Sequence, residues 1–361
     1  MLGNRKLIVD THCEIYSMIK THADGLFWNL KQHIQKNQVV PDAIYIIGRE
    51  QLSLNANEIK QLIADYNINL VFSNPHEGSE TILGQLYRYG INELALANKI
   101  LIVGGGDMEP CWPCLCYDSF LPKILDYDEN LEAINQYKEN YTTDRPYKFL
   151  FLNGRARPHR AELITRLDRL LDQCIWTNLD SANGLPIKTL DPKYEYNHVV
   201  TGHPLPTVGF VKHEMFDNKW GDVYIKENLY QDTYFSLVTE TVFGYPYSFR
   251  TEKIWKPVAI GHPWIAVANQ GFYRDMHNLG FRTFGHVIDE TFDQIDNNQD
   301  RLTRIVEVVE DLCQQDLVSF LNECYNVCKY NQQHLAEMRQ TVRQEFPDQF
   351  FQFIKKYQFN E

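Results

Sequence analysis

Residues 232–291, DTYFSLVTETVFGYPYSFRTEKIWKPVAIGHPWIAVANQGFYRDMHNLGFRTFGHVIDET, carry the pattern that decides the fold class. Tyr234 to Val238 is a short run of aromatic and branched apolar residues, which predicts a buried strand. Glu240 lies just past its end. A polar turn with Gly244 and Pro246 leads to Arg250, Glu252 and Lys253 within four residues. Ile254 to Ile260 then reads as an apolar helical segment closed by Gly261, and Trp264 to Ala268 as a second strand. In an open α/β sheet, ligands bind outside the carboxyl ends of the strands. Glu240 and the Arg250/Glu252/Lys253 cluster belong there, at the start of a helix. Backbone N–H groups with Lys and Arg suit a diphosphate at such a place. Ionised carboxylates only accept hydrogen bonds and so suit ribose or sugar hydroxyls. Charged residues in a first helical turn also serve simply to complement the helix dipole.

The same alternation extends toward the N-terminus. Residues 6–12 (KLIVDTH) and 43–48 (AIYIIG) read as strands, with Leu26 to Ile34 near helical spacing between them. Residues 57–66 read as a helix capped by Asn57. A strand from Asn69 to Ser73 runs into a polar loop with His76, Glu77 and Glu80, residues 81–97 suit a helix, and Ile100 to Val103 precede Gly104-Gly105-Gly106. Strands alternating with helices predict a parallel α/β domain over residues 1–140. The triple glycine matches no phosphate-loop motif and reads as a turn. Cys111, Cys114 and Cys116 lack a second pair at zinc-site spacing, so buried thiols are the simpler reading. Asp126-Tyr127-Asp128 is a D-x-D tripeptide of the kind that holds a divalent metal in some sugar transferases. The helical pattern that follows it favours an acidic helix start.

Residues 140–147 (NYTTDRPY) read as an interdomain linker. The next strand, Lys148 to Gly154, runs into RARPHRAELITRLDRLL, where Arg155, Arg157, His159 and Arg160 crowd a strand-to-helix junction and predict an anion site. CIWTNLD reads as a strand ending near Asp180, and residues 181–209 as a loop-rich insertion. RTFGHVIDETFDQIDN carries a short apolar strand and a helix start. Residues 300–326 are helical, and 329–356 suggest a further helix or two interrupted at Pro347.

Composition sets outer limits. The chain has 361 residues, enough for two domains, and 47 acidic against 35 basic residues give a formal net charge of −12. That argues against a generic polyanion binder. No apolar run approaches the ~20 residues needed to span a bilayer, and the first residues have too short an apolar core for a signal peptide. Eight dispersed cysteines suit reduced thiols in a cytoplasmic protein.

Three segments resemble the GT-B glycosyltransferases of the α1,3/4-fucosyltransferase type. They are FLNGRARPHRAEL, with Arg160 at the donor-binding arginine; LVTET, with Glu240 at the family glutamate; and SFRTEKIWKPVAIGHPWIAV, in which Thr251 to Trp255 is the most specific match. Phage and bacterial glycosyltransferase-like proteins also look similar across TEK, GHP and NLGFRTF. The likeness covers about residues 147–300. It departs at ETV, where the family has Glu-Asn-Ser, and at His159, where it has Lys.

The resemblance implies two Rossmann-like domains with a cleft between them. Residues 1–140 would form an acceptor domain, 147–330 a nucleotide-sugar donor domain, and 331–361 helices packing back on the first. It implies an inverting, metal-independent sugar transfer from a nucleotide-sugar co-substrate, a GDP-sugar among the candidates, with no other cofactor. Arg157, Arg160, Arg250 and Lys253 would hold the diphosphate, and Glu240 and Glu252 the hydroxyls. The acceptor could be a glycan, a lipid-linked sugar, a protein or a modified nucleobase. Its hydroxyl needs a general base. Glu77 is the first candidate, and Asp10, His12, Asp107 and Glu109 lie on comparable loops. The competing readings are a non-catalytic nucleotide-sugar-binding or scaffold protein, and a metal-dependent transferase using Asp126 and Asp128.

Overall fold

Strands of a parallel sheet are covered on both faces, so they read as unbroken apolar runs, and the runs identified above form two such sheets. The computed structural model describes residues 5–48, 54–88, 90–106, 113–137, 140–194 and 223–358. The chain divides into two compact units, residues 1–119 with 340–361, and residues 120–339.

In the first unit β1 (Leu7–Asp10), α1 (Tyr16–Ile19), β2 (Gly25–Phe27), α2 (Leu30–Gln35), β3 (Ile44–Gly48), α3 (Ala56–Tyr66), β4 (Asn69–Asn74), α4 (Ser79–Arg88), α5 (Asn92–Leu96), β5 (Ile100–Gly104) and β6 (Cys114–Cys116) follow in order. The six strands are parallel and ordered β2-β1-β3-β4-β5-β6. Alternate residues enter opposite cores: Ile8, Tyr45, Leu70 and Ile102 one, Val9, Ile46, Val71 and Leu101 the other. The strand order reverses between β1 and β3, which makes their carboxyl ends a topological switch point.

Three sequence expectations change here. Leu26 to Ile34 is not one helix. Gly25–Phe27 extends as the edge strand β2, and the Asn29 side chain accepts from Gln32 N to start α2. The cap of α3 is Asn55 rather than Asn57, because Asn55 and Glu58 form a reciprocal capping box. The expected helix 81–97 is two helices, broken at Gly90, whose φ of 62° is left-handed.

The second unit runs α6 (Phe120–Ile124), α7 (Asp128–Gln136), β7 (Tyr147–Phe151), α8 (Pro158–Arg166), β8 (Ile175–Trp176), α9 (Glu227–Gln231), β9 (Thr233–Thr239), α10 (Glu252–Ile260), β10 (Trp264–Val267), α11 (Phe272–Asn278), α12 (Asn298–Leu312) and α13 (Leu317–Gln358). Its four strands are parallel and ordered β10-β9-β7-β8, with the reversal between β7 and β9. Phe149 and Phe235 stack across these two strands at 5.3 Å.

The division falls between Ser119 and Phe120, not at 140–147, because α6 and α7 pack on α10. The expected linker is anchored inside the second unit. Arg145 is buried and donates to Tyr230 O and Thr233 O at 2.6 Å, and the Tyr141 hydroxyl donates to Gly261 O. CIWTNLD supplies only the two-residue β8. Residues 282–295 form turns and a short 3₁₀ segment, Thr291–Gln294, instead of a strand. The last two expected helices are one, α13, which passes through Pro347. From Gln340 on it belongs to the first unit, where Phe346, Phe350, Phe353 and Ile354 enter the core. Among the described residues no helix is long and apolar enough to cross a membrane.

Candidate functional site

Strands β7, β8 and β9 all end in polar residues that bond to one another. Asn153 Oδ1 accepts from Thr239 Oγ1 at 2.8 Å, and Asn153 N donates to Thr177 Oγ1 at 2.9 Å. Asn153 is buried, yet its Nδ2 has no hydrogen-bond partner among the described residues. These side chains sit at the β7–β9 reversal. They were missed in the sequence because an Asn or Thr ending a strand looks like ordinary turn chemistry.

The basic junction after β7 lies on the same edge. Arg157 is the N-cap of α8 and makes no side-chain cap bond, with Pro158 opening the helix. Arg160, one turn on, is 3% exposed. Its guanidinium donates to Arg155 O at 2.8 Å and Thr239 O at 2.9 Å, with a longer contact to Glu240 O at 3.4 Å. Its Nε is buried with no hydrogen-bond partner among the described residues. All these acceptors are neutral carbonyls. Burial, then the nearby charge of Arg157, lowers the Arg160 pKa from 12.5 to about 10, and Glu240 and Glu252 oppose this. His159 stacks on Phe243 at 5.0 Å with its Nε2 3.0 Å from Glu240 O. Burial and the Arg160 charge push its pKa down to about 3, so the neutral ring donates to that carbonyl.

Glu240, Glu252 and Lys253 converge at the start of α10. Glu240 is fully buried. One carboxylate oxygen accepts from Thr251 N at 3.0 Å, the other from Thr251 Oγ1 at 2.8 Å and Thr241 N at 3.3 Å. Thr251 caps α10 and also accepts from Lys253 Nζ at 2.7 Å. Lys253 Nζ lies 3.0 Å from Glu252 and 3.8 Å from Glu240, and its side chain is 20% exposed. Burial raises the Glu240 pKa against the pull of Lys253, whereas the neighbouring Lys253 and Lys256 overcome burial and lower that of Glu252. Glu240 therefore holds Thr251 in place and, through it, aims the ammonium of Lys253. Arg250 is buried immediately before Thr251. The candidates from two segments 80 residues apart in sequence thus meet, since Arg160 and His159 both reach the carbonyl of Glu240.

Asp126 and Asp128 do not form a pair of free ligands. Asp126 accepts from Arg339 Nη2 at 2.7 Å, and Asp128 opens α7. A cavity of about 500 Å³ lies at the other edge of the second sheet, lined by Asp144, Tyr147, Lys148, Asp172 and Tyr234 among others. It is remote from the strand-end cluster.

In the first unit, Glu77 sits in the loop between β4 and α4 and is half-buried. Its backbone is tied at both ends: its N donates to Asn74 O at 3.2 Å, and its O accepts from Gly105 N at 3.1 Å. His76 Nδ1 is 2.8 Å from Ser119 Oγ. Asp10 is buried at the end of β1, where it accepts from His12 N at 2.9 Å and Gly48 N at 3.3 Å. Asp107 and Glu109 lie outside the described residues, as do residues 195–209 of the expected insertion.

No protein-family model, curated protein or solved structure matches the chain.

Proposed function

We propose that this protein is a glycosyltransferase that takes its sugar from a nucleoside-diphosphate donor held at the β7–β9 reversal. The observation that supports it best is the buried Arg160. It sits at a sheet switch point beside Arg155 and Arg157, and donates only to neutral carbonyls. A buried cation without a carboxylate hydrogen-bonded to it is costly, and a bound anion compensates it. The unmatched donors Asn153 Nδ2 and Arg160 Nε point to the same need.

A diphosphate fits this chemistry. When the sugar–phosphate bond breaks, the electron pair and negative charge go to the departing diphosphate. Preorganised Arg and Lys groups stabilise that charge as it develops. Arg160 and Lys253 are the main groups, with Arg157 and Arg250 beside them. Glu252, adjacent to Lys253 Nζ, is the carboxylate for a ribose or sugar hydroxyl, and Glu240 keeps the Thr251–Lys253 arrangement in register. The acceptor oxygen forms the new bond to the sugar carbon as its proton passes to a general base. Attack opposite the leaving diphosphate inverts that carbon. The resemblance of three segments to the fucosyltransferase type makes a GDP-sugar the first donor to try.

The test is release of nucleoside diphosphate from GDP-, UDP- and dTDP-sugars by the full chain. The reading expects release from at least one donor, reduced about 10²-fold or more in Lys253→Ala. The absence of both release and nucleotide binding across all three nucleotides would overturn it. Binding without release would instead make the protein a nucleotide-sugar-binding module.

A further inference from the structure

The loop that joins β9 to α10 is pinned at its two ends by one carboxylate. Glu240 accepts from Thr241 N at the start of the loop and from Thr251 N and Oγ1 at its end. Ser248 adds a tie near the end, donating to Asp275 Oδ2 at 2.6 Å. Gly244, Tyr245 and Pro246 between them are exposed. Ordering a loop residue opposes folding through lost backbone entropy, so a fixed loop needs contacts along its length. For the half next to β9 those contacts come from a different element.

Arg301, in the first turn of α12, is buried. Its Nη2 donates to Phe243 O at 2.7 Å and to Asn298 Oδ1 at 2.6 Å, and its Nη1 donates to Ile295 O at 2.8 Å. The guanidinium carbon also lies 4.6 Å from the centroid of the Phe243 ring, a cation–π contact. That ring stacks on His159, with centroids 5.0 Å apart and planes 18° from parallel, and His159 Nε2 donates to Glu240 O at 3.0 Å. One aromatic ring thus joins α12 to the first turn of α8 and, through His159, to the residue that sets Thr251 and Lys253. Asn298, held by Arg301, packs against Gly244, where a Cβ would meet its Nδ2 at 3.0 Å. Arg301 differs from Arg160 in one respect. Asp293 and Asp296 lie close enough to favour its charged form against burial, so its charge is offset within the protein.

We propose that Arg301 is a positioning residue for the anion edge. Through Phe243 and His159 it holds the loop between β9 and α10 in the one arrangement in which Glu240 fixes Thr251 and Thr251 aims Lys253 at a diphosphate. Arg301 touches no ligand itself. Its planar fork reaches Phe243 O, Ile295 O and Asn298 Oδ1 at once and lies against a ring, which the point charge of a lysine does not reproduce. It lies beyond the three segments that resemble the fucosyltransferase type. The diphosphate in this proposal rests on the donor reading, whereas the ordering of the loop does not.

The experiment pairs amide hydrogen exchange with calorimetric titration on the full chain, in wild type, Phe243→Leu and Arg301→Lys. Phe243→Leu keeps an apolar side chain and the carbonyl that Arg301 bonds, and removes only the ring; it carries the test if Arg301→Lys fails to fold. Exchange is read at Thr241 and Thr251, whose N–H groups bond to Glu240, and at Ser236 within β9, which donates to Pro263 O. Both variants should speed exchange at Thr241 and Thr251 about tenfold, the worth of a stacked pair, and leave Ser236 as in wild type. The ratio of GDP to guanosine affinity, or of UDP to uridine, should fall about tenfold, with nucleoside affinity unchanged. Unchanged exchange at Thr241 and Thr251 in Phe243→Leu would overturn the proposal. So would equal acceleration at Ser236, which reduces the stack to general packing, or local acceleration with an unchanged affinity ratio. Local acceleration in a chain whose wild type binds neither GDP nor UDP would support the ordering of the loop by Arg301 and remove the donor reading instead.

Discussion

Two parallel sheets in one chain present the same geometric opportunity with opposite chemistry. At the β1–β3 reversal the buried ionisable group is a carboxylate, Asp10, clamped by the backbone N–H groups of His12 and Gly48. At the β7–β9 reversal it is a guanidinium, Arg160, clamped by the carbonyls of Arg155 and Thr239. The fold explains why each crevice exists; the side chains at the strand ends decide what each can hold. The first edge buries a carboxylate and the second a guanidinium, a difference that the shared fold does not dictate.

The comparison can be broken most forcefully by removing the buried charges. Arg160→Ala leaves two buried carbonyls without their donor, with the removal of a buried charge offsetting part of the loss, and should cost about 2–4 kcal/mol in urea unfolding of the full chain. Asp10→Ala leaves the N–H groups of His12 and Gly48 and should cost about 1–3 kcal/mol. Near-equal or negligible losses would mean that the two clamps are not what hold these edges.

Acid should separate the units next. His159 and His262 are buried in the second unit with pKa values pushed to about 3, mainly by burial. In the unfolded chain they titrate near 6.5, so the unfolded state binds protons that the folded state refuses. Their contribution is fully present above pH 6.5 and is lost as pH falls toward 3, at up to ~1.4 kcal/mol per pH unit for each. At pH 5 that is about 2 kcal/mol for each histidine. Glu290 runs the other way. Burial raises its pKa from 4.5 to about 7, so the stability it confers is present below 4.5 and declines as pH rises through 7. The second unit should therefore be the more acid-labile around pH 5, read by near-UV circular dichroism in wild type against His159→Gln/His262→Gln. An unchanged pH profile in the double variant would contradict the role given to these rings.

A smaller effect probes the anion edge alone. Thr251→Ala removes the α10 cap and both the Glu240 and Lys253 side-chain bonds. Loss of a cap costs about 1 kcal/mol. Nucleoside-diphosphate affinity should fall more than stability does, because Lys253 is no longer aimed. A fall in stability with unchanged affinity would reduce Thr251 to a simple cap.

Much of this frame was legible in residues. Buried parallel strands announce themselves as apolar runs, so β3, β5, β9 and β10 were readable, and Pro263 and Gly261 marked the entry to β10. Local competition was not legible. Leu26 has helical spacing to Leu30, yet Gly25–Phe27 pairs with β1 as an edge strand. Val287 and Ile288 look like a strand, but their N–H groups turn back to Phe284 O. The donor-site candidates were readable as charges at strand ends. What the sequence could not give was direction. Glu240 was expected to meet a ligand hydroxyl, whereas its oxygens are occupied by Thr251 and Thr241. Asn153, with its unmatched Nδ2, carried no signal that distinguished it from a turn residue.

The central claim is that the β7–β9 edge recognises a diphosphate, and calorimetric titration with GDP, GMP and guanosine, repeated with the uridine series, tests it most directly. The account expects a marked rise in affinity from nucleoside to diphosphate in at least one series. Lys253→Ala should remove most of that rise, about tenfold or more in Kd, and leave nucleoside binding nearly intact. Equal affinity for nucleoside and diphosphate, or an equal loss of both in Lys253→Ala, would contradict it.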